Sequence, residues 1–136
     1  MKTVTLVCED RPSLLSDISY ILGISHVNVE GMAIEVVERK AVIALQVKNS
    51  EKATEVLHKN GFETINHGSL IVKAHKDLTH ESLEQVKSTL ATQGIKIEDH
   101  LLLCGDGESE IFAIHVNKPR KAIRTLKEAV LNRAMF

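Results

Sequence analysis

Apolar positions recur along the chain at an interval of 68 residues. Repetition of this kind is typical of a duplicated structural unit, so we expect two domains of one fold, residues 1–67 and 68–136. A residue needed for packing should recur in both copies, whereas a binding residue need occur in only one. Shifted without a gap, Val4, Leu6, Leu15, Ile18, Leu22, Val27 and Val29 fall on Val72, Ala74, Leu83, Val86, Leu90, Ile95 and Ile97.

The first copy has the element order β-α-β-β-α-β. Alternation over Thr3–Cys8 predicts a strand, and apolar spacings of three and four predict a helix over Pro12–Leu22 that ends near Gly23. Alternation then resumes at Val27 and changes phase at Gly31, which predicts a β-bulge. The inward helix face carries Leu14, Leu15, Ile18, Ile21 and Leu22. A return strand carrying Ile43, Leu45 and Val47, a second helix from an N-cap at Ser50 to Asn60 and Gly61, and a short strand over Phe62–Ile65 complete the copy.

The second copy repeats this order with a turn, Gly105–Glu110, that is one residue longer. Its middle strands are predicted to carry Ile95, Ile97, Leu101 and Leu103, followed by Phe112, Ile114 and Val116. The matching fourth strand would begin near Leu131, and the pattern leaves open whether residues 131–136 form a short strand or none. The predicted fold is α+β, with two ferredoxin-like βαββαβ units whose antiparallel sheets lie side by side and carry helices on one face.

Composition narrows the classes of partner. The chain has 17 basic and 18 acidic residues, one Tyr and no Trp, which argues against nucleic acid as a partner. No apolar stretch is long enough for a leader or a membrane span, so we expect a soluble cytoplasmic protein with no membrane partner. Cys8 and Cys104 read as reduced core thiols, and the seven His show no metal-ligand spacing, so we expect no metal and no cofactor.

Candidate chemistry lies in the turn between the first strand and the first helix, and at the start of the second strand. The residues are Asp10, Arg11, Pro12, Ser13 and Leu14 in the turn, and Asn28 and Val29 at the strand. With the element order, these motifs resemble the ACT domain family, whose pattern is an Asp/Asn-Arg-Pro-Gly-x-Leu turn into a helix and an Asn-Ile or Asn-Val pair opening the second strand. The resemblance extends over both copies, so the chain is similar to a tandem ACT protein.

ACT domains generally bind amino acids or other small metabolites at interfaces between domains. The resemblance therefore implies a regulatory protein, not an enzyme, that relays ligand occupancy to a partner enzyme or regulator. Free N–H groups at the start of the helix suit a ligand carboxylate, and the Asp10 carboxylate and Asn28 amide oxygen suit its ammonium group. Where the family has Gly after Pro, this chain has Ser13, which either narrows the pocket or adds a polar contact or a helix cap.

The second copy lacks this motif. Its aligned segment Lys76–Glu81 has no Arg-Pro pair, and Lys96 stands at the position that matches Asn28. We expect this loop to bind nothing or to take a different ligand. Four basic residues near the start of the last helix read as a solvated face unless an anion or acidic partner lies there, and they are Lys118, Arg120, Lys121 and Arg124.

Two other functions stay open at this point. One is a dimerisation or interaction module that binds no small molecule, which Ser13 and the altered second loop favour. The other is an acylphosphatase-like enzyme of the same fold, but no Gly-rich phosphate loop with a catalytic Arg and Asn follows the first strand, so we expect no catalysis. The exposed edge predicted at Val27–Val36 favours a homodimer under either non-catalytic reading.

Overall fold

The computed structural model describes residues 2–65, 69–76 and 81–136. Within these residues the architecture is α+β, with two antiparallel sheets and four α-helices. The chain divides into two compact units, Met1–Gly68 and Ser69–Ala134. Each unit follows the order strand, helix, strand, strand, helix, which confirms the tandem ferredoxin-like fold class that the repeat predicts.

In the first unit, β1 spans Lys2–Glu9, α1 Leu14–Ile24, β2 Val29–Val37, β3 Lys40–Val47, α2 Ser50–Lys59 and β4 Thr64–Ile65. In the second unit, β5 spans Leu70–His75, α3 Ser82–Ala91, β6 Ile97–Gly105, β7 Ser109–Val116 and α4 Pro119–Leu126. Two single turns of 3-10 helix follow at Lys127–Ala129 and Arg133–Met135.

The first sheet has the strand order β2-β3-β1-β4. Both β1 and β2 pair antiparallel with β3, so they run parallel to each other and β2 lies at the sheet edge. The register of β2 against β3 shifts between Val29 and Gly31, which confirms the bulge predicted at Gly31. A Cβ on Gly31 would lie 3.0 Å from the side-chain oxygen of Gln46, so the Gln46 side chain would have to shift to admit a larger residue.

The core of the first unit lies between the sheet and its two helices. From α1 it takes Leu14, Ile18 and Leu22, which follow the predicted 3.6-residue period. Leu15 was expected on the same inward face, but it is 39% exposed. The other buried residues of the cluster are Val4, Leu6, Val27, Ala41, Ile43, Leu45, Val47, Ala53, Leu57 and Phe62.

Both ends of α1 differ from the prediction. The helix begins at Leu14 and not at Pro12, because the Leu14 N–H donates to the Arg11 carbonyl at 3.1 Å and closes a turn there. Gly23 lies inside the helix, which ends at Ile24. The chain reverses direction after α1 at His26, whose φ of 59° lies in the left-handed region. The Schellman pair of hydrogen bonds closes the helix at this point.

The start of α2 also needs a correction. Asn49, not Ser50, is the N-cap, because the Asn49 side chain accepts a hydrogen bond from the Lys52 N–H at 3.1 Å. Ser50 is the first helical residue and is buried. The predicted end is confirmed, since Asn60 is the C-cap and Gly61 follows with a φ of 86°.

The second sheet has the strand order β5-β7-β6, so β6 is an edge strand. Its register against β7 shifts between Ile97 and Asp99 and again between Leu102 and Cys104. The first bulge reverses which side chains face the helices, so Leu101 does not lie on the inward face that Ile97 shares with the core. Leu101 pairs with Ala113 on the other face of the sheet and is 54% exposed.

Where the first unit has β4, the second has an isolated bridge. Val130 pairs with Val72, and the Leu131 N–H donates to the Ile71 carbonyl at 2.8 Å. Among the described residues, this segment therefore extends the sheet at one position only, Val130. Of the two alternatives left open, residues 131–136 form no strand. The core of this unit is built by Leu70, Val72, Ala74, Val86, Leu90, Ile95, Phe112, Ile114, Val116, Ala122 and Val130.

Candidate functional site

The turn of residues 10–13 connects the end of β1 to the start of α1. The Asp10 N–H donates to the Arg39 carbonyl at 2.8 Å, which ties this turn to the hairpin between β2 and β3. Pro12 fixes its own φ in the turn that the Leu14 to Arg11 hydrogen bond closes. The backbone here is therefore held at both ends before any ligand binds.

The first turn of α1 has backbone donors to offer. Its first bond of the i to i−4 type runs from the Asp17 N–H to the Ser13 carbonyl at 2.9 Å. The N–H groups of Leu15 and Ser16 have no acceptor among the described residues. Ser13 occupies the N-cap position but makes no capping bond through its side chain. These two donors and the positive end of the helix dipole suit a carboxylate.

The side chains of Arg11 and Ser13 are engaged with Asp17. Arg11 Nη1 lies 2.5 Å from Asp17 Oδ2, and Ser13 Oγ donates to the same oxygen at 3.2 Å. The guanidinium thus offsets the negative charge of Asp17, which would otherwise repel an anion at the start of the helix. Arg11 therefore acts on the electrostatics of the site through Asp17.

Ser13 causes no backbone strain where the family pattern has glycine. Its φ is −98° and its ψ is 10°, which residues other than glycine adopt readily. The cap that the sequence offered as an alternative is not formed, and the hydroxyl bonds to Asp17 instead. Replacement of glycine by serine is therefore compatible with the geometry of this turn.

A cleft of about 400 Å³ lies between this turn and the edge strand β2. Its walls are formed by Asp10, Arg11, Pro12, Leu14, Leu15 and Ile34. Four of these residues belong to the turn motif. Leu15 is predicted on the inward face of the helix, and Ile34 is not among the predicted site residues. Both are about 40% exposed, because β2 lies at the sheet edge. The cleft therefore has a polar end at Asp10 and an apolar wall from α1 and β2.

Asn28 and Val29 lie at the other end of the same sheet. Glu9, next to the turn, pairs with Lys40, whereas Val29 pairs with Val47 at the far end of β3. Seven strand intervals separate these two ends, which is about 23 Å at 3.3 Å per residue. The structure therefore does not bring Asp10 and Asn28 of one chain to a common ligand, as their pairing in the sequence suggested.

The matching end of the second unit has a different chemistry. Residues 77–80 of the second loop, and with them most of the segment aligned to the first turn, lie outside the described residues. Ser82 and Glu110 occupy the positions of Leu14 and Ala41 in the first unit, at shifts of 68 and 69. The buried Ser82 hydroxyl donates to the Glu110 carboxylate, so a polar pair replaces an apolar contact there.

Cys8 lies close to the turn in the sequence. Burial raises the pKa of the Cys8 thiol, and this effect outweighs the lowering by the nearby Arg11. The described residues contain no group of three or more His, Cys, Asp or Glu side chains placed to hold a metal ion. None of the helices in the described part of the chain is long and apolar enough to cross a bilayer.

The fold defines the class of the protein as two ferredoxin-like units in tandem, in which an isolated bridge replaces the last strand of the second unit. The ACT-like motifs predict this tandem architecture, and at the level of fold that prediction is confirmed. No family model matches the sequence, and no curated protein matches it either.

Solved structures share the architecture over nearly the whole chain. Protein BT0572 from Bacteroides thetaiotaomicron is 20% identical, with a TM-score of 0.50 over 93% of this chain and 86% of that one. An unknown protein from Galdieria sulphuraria is 16% identical, with a TM-score of 0.50 over 94% and 90%. The ligand-free regulatory subunit of aspartate kinase from Thermus thermophilus is 20% identical, with a TM-score of 0.46 over 94% and 91%. At these identities the likeness concerns the fold.

Proposed function

We propose that the chain is a regulatory ACT-domain protein that binds an amino acid at the turn of residues 10–13. The observation that carries the proposal is the cleft itself, where free backbone donors, an exposed carboxylate and an apolar wall lie side by side. Domain 1, residues 1–67, holds this site, and domain 2, residues 68–136, is its structural partner. The ACT-like turn motif supports the same assignment.

Each group of a zwitterion has a complement in the cleft. The ligand carboxylate accepts from the N–H groups of Leu15 and Ser16, where Arg11 has already offset the charge of Asp17. The ligand ammonium donates to the exposed Asp10 carboxylate. Its side chain lies against Leu15 and Ile34. The limited volume and the apolar wall favour a small aliphatic side chain over a charged one.

The edge strand β2 supports a homodimer that completes this site. Its backbone is regular from Gly31 to Val37, and Met32, Ile34 and Val36 are each about 40% exposed. Antiparallel pairing of β2 with β2 of a second copy would bury these side chains and satisfy the free edge. That pairing also places the start of one β2, and with it Asn28, beside the turn of the other copy.

A ligand held between two copies is suited to regulation. Asp10 from one copy and Asn28 from the other would then bind one amino acid, so occupancy favours the paired state over other arrangements. A partner enzyme or regulator that recognises only one of these states would respond to the ligand concentration. The chain itself has no catalytic role in this scheme.

The experiment is a thermal-shift screen against the twenty amino acids, followed by calorimetry with the best ligand. A ligand present at about 100 times its Kd should stabilise the protein by about 2.7 kcal/mol. Leu15→Lys fills the cleft and should abolish that stabilisation. Tyr20→Lys, on an exposed position of the same helix, is the matched control and should retain it. Absence of any shift or heat with all twenty amino acids would favour the non-binding dimerisation module instead.

A further inference from the structure

The duplicated helices α2 and α4 carry opposite charges on one stripe of their exposed faces. At the shift of 69 residues that aligns these helices, Glu51 corresponds to Arg120 and Glu55 to Arg124. The two members of each pair are four residues apart, so they lie on one side of their helix, about 6 Å from each other. We call these the acidic stripe, Glu51 and Glu55, and the basic stripe, Arg120 and Arg124. At the same shift, the buried Ala53 of α2 corresponds to the buried Ala122 of α4. The buried faces are therefore alike, and packing does not require opposite charges on the exposed faces.

The basic stripe is exposed, and it has no ion pair within the described residues. Further positive charges surround it on Lys118, Lys121 and Lys127. Arg120 lies near the start of α4, where a cation is unfavourable because the helix dipole is positive there, whereas Arg124 lies in the last turn. An acidic partner would remove this penalty, whereas contact of the face with another copy of itself would increase it.

The acidic stripe is equally accessible. Glu51 is exposed, and Glu55 forms one ion pair, with Lys59 at 2.9 Å, in which both side chains are more than 60% exposed. The hydrogen bond and charge of Lys59 lower the pKa of Glu55, so this carboxylate stays ionised at neutral pH. An exposed pair of this kind contributes little to stability, so exchange of Lys59 for an arginine partner costs little.

We propose that the acidic stripe of one copy docks on the basic stripe of a second copy. With the two helices antiparallel, Glu51 lies opposite Arg124 and Glu55 lies opposite Arg120, since both pairs have the same spacing. Arginine can bind each carboxylate through two parallel hydrogen bonds. The contact is heterologous and uses different surfaces from β2, so it would link β2-paired dimers into larger assemblies.

Sedimentation velocity at low and high salt tests this contact, because charge pairs between copies weaken as salt is added. The wild-type chain should show concentration-dependent association that falls at 0.5 M salt. Arg120→Glu with Arg124→Glu makes both stripes acidic, and Glu51→Arg with Glu55→Arg makes both basic. Each double variant should lose the salt-sensitive association by at least tenfold. Mixed in equal amounts, the two variants should associate with each other, because each now carries the charge that the other lacks.

The control for net charge is Lys87→Glu with Lys96→Glu, which changes two exposed lysines of the second unit by the same amount. This variant should associate like the wild type, and circular dichroism should show all variants folded. The proposal is overturned if the wild type shows no salt-sensitive association, if the mixture fails to associate, or if only the arginine variant loses association. The last result would place the acidic surface elsewhere. The β2 edge is intact in every variant, so these outcomes are independent of the proposed ligand site.

Discussion

The side chain of Asn132 is hydrogen-bonded to the backbone of β5 in the place of a missing strand. Its Oδ1 accepts from the Ile71 N–H at 3.0 Å, and its Nδ2 donates to the Ser69 carbonyl at 3.0 Å. Asn132 is 1% exposed, so both backbone groups would otherwise be shielded from water without these partners. The Asn132 amide thus supplies hydrogen-bond partners to the backbone at the start of β5, as β4 supplies them to β1 in the first unit.

Replacement of Asn132 should therefore destabilise the protein strongly, although this residue lies near the end of the sequence. Asn132→Ala removes both bonds and should cost about 2–6 kcal/mol, since each of the two orphaned buried groups costs about 1–3 kcal/mol. Asn132→Asp keeps the acceptor for Ile71 but loses the donor to Ser69, and it should also destabilise. Urea denaturation measures both changes. Asn60→Ala, which removes one exposed side-chain bond to Val56, is the control and should cost less than either.

His26 and Gly94 occupy the same place in the two repeats, with φ values of 59° and 70°. Each follows a helix that a Schellman pair closes, but only the second copy has the residue that this conformation favours. His26→Gly should stabilise the protein by about 1 kcal/mol, because a side chain in the left-handed region costs about 1–2 kcal/mol. Gly94→Ala should destabilise by a similar amount, and thermal unfolding compares the two variants.

Gly23 provides a second comparison on the same helix. It lies inside α1, and a Cβ there would meet no neighbouring atom within 4 Å. Gly23→Ala should therefore stabilise by about 0.5–1 kcal/mol through helix propensity. If Gly23 terminated the helix, as the sequence suggested, the same substitution would destabilise instead.

The carboxylate of Asp106 gives the turn between β6 and β7 a dependence on pH. The backbone N–H of Ser109 and, to a smaller extent, that of Glu108 hydrogen-bond to it and lower its pKa below the usual 3.8. Since the unfolded chain binds the proton more tightly, this stabilisation is complete above about pH 3.8 and is lost as the pH falls through the lowered pKa. Asp106→Asn keeps an acceptor oxygen without the charge.

Melting temperatures between pH 2.5 and 7 measure this contribution. The difference in melting temperature between the wild type and Asp106→Asn should be largest at neutral pH and shrink in the acid range. Glu108→Gln, which removes a neighbouring negative charge of the same turn, is the control variant. A gap between wild type and Asp106→Asn that does not narrow in acid would contradict the role assigned to the charge.

The hydrophobic pattern predicts most of the fold because each repeat buries one helix stripe and one face of its strands. It fails where local hydrogen bonds override residue preference. Asn49 caps α2 although Ser50 is an equally good candidate, and His26 reverses the chain although Gly23 is three residues away. The bulge at Glu98 is also missed, because no glycine marks it as Gly31 marks its counterpart. Such choices depend on the register of a neighbouring strand or the entry angle of a helix.

The candidate site is predictable in part for a different reason. The turn motif finds Asp10, Arg11, Pro12 and Leu14. Periodicity places Leu15 on the inward face of the helix, and the exposed edge predicted at Val27–Val36 includes Ile34 without marking it as part of the site. The element order itself predicts the separation of Asp10 from Asn28. A helix that connects two parallel strands returns the chain to the opposite end of the sheet. A βαβ arrangement therefore places the end of one strand and the start of the next about one strand length apart.

That separation leads to a test of whether the ligand site is shared between copies. If Asp10 and Asn28 act across a dimer, Asp10→Ala and Asn28→Ala should each weaken binding of the amino acid found in the screen by about tenfold or more. Neither exposed side chain supports the core, so both variants should keep the stability of the wild type. Mixed and allowed to exchange subunits, the two variants form heterodimers in which one site has both residues and the other has neither.

Random exchange should then restore tight binding at about one quarter of the sites, because half of the dimers are mixed and each of these has one intact site. Calorimetry measures this as a stoichiometry with the wild-type affinity. The control is a mixture of Asp10→Ala with Ser19→Ala, whose exposed serine lies outside the cleft. Ser19→Ala chains keep both site residues, so this mixture shows how many tight sites intact chains provide by themselves. If each chain holds its ligand alone at the turn, Asn28→Ala by itself binds like the wild type and about half of the sites in the mixture are tight. That result excludes the shared site while a ligand site on one chain is retained.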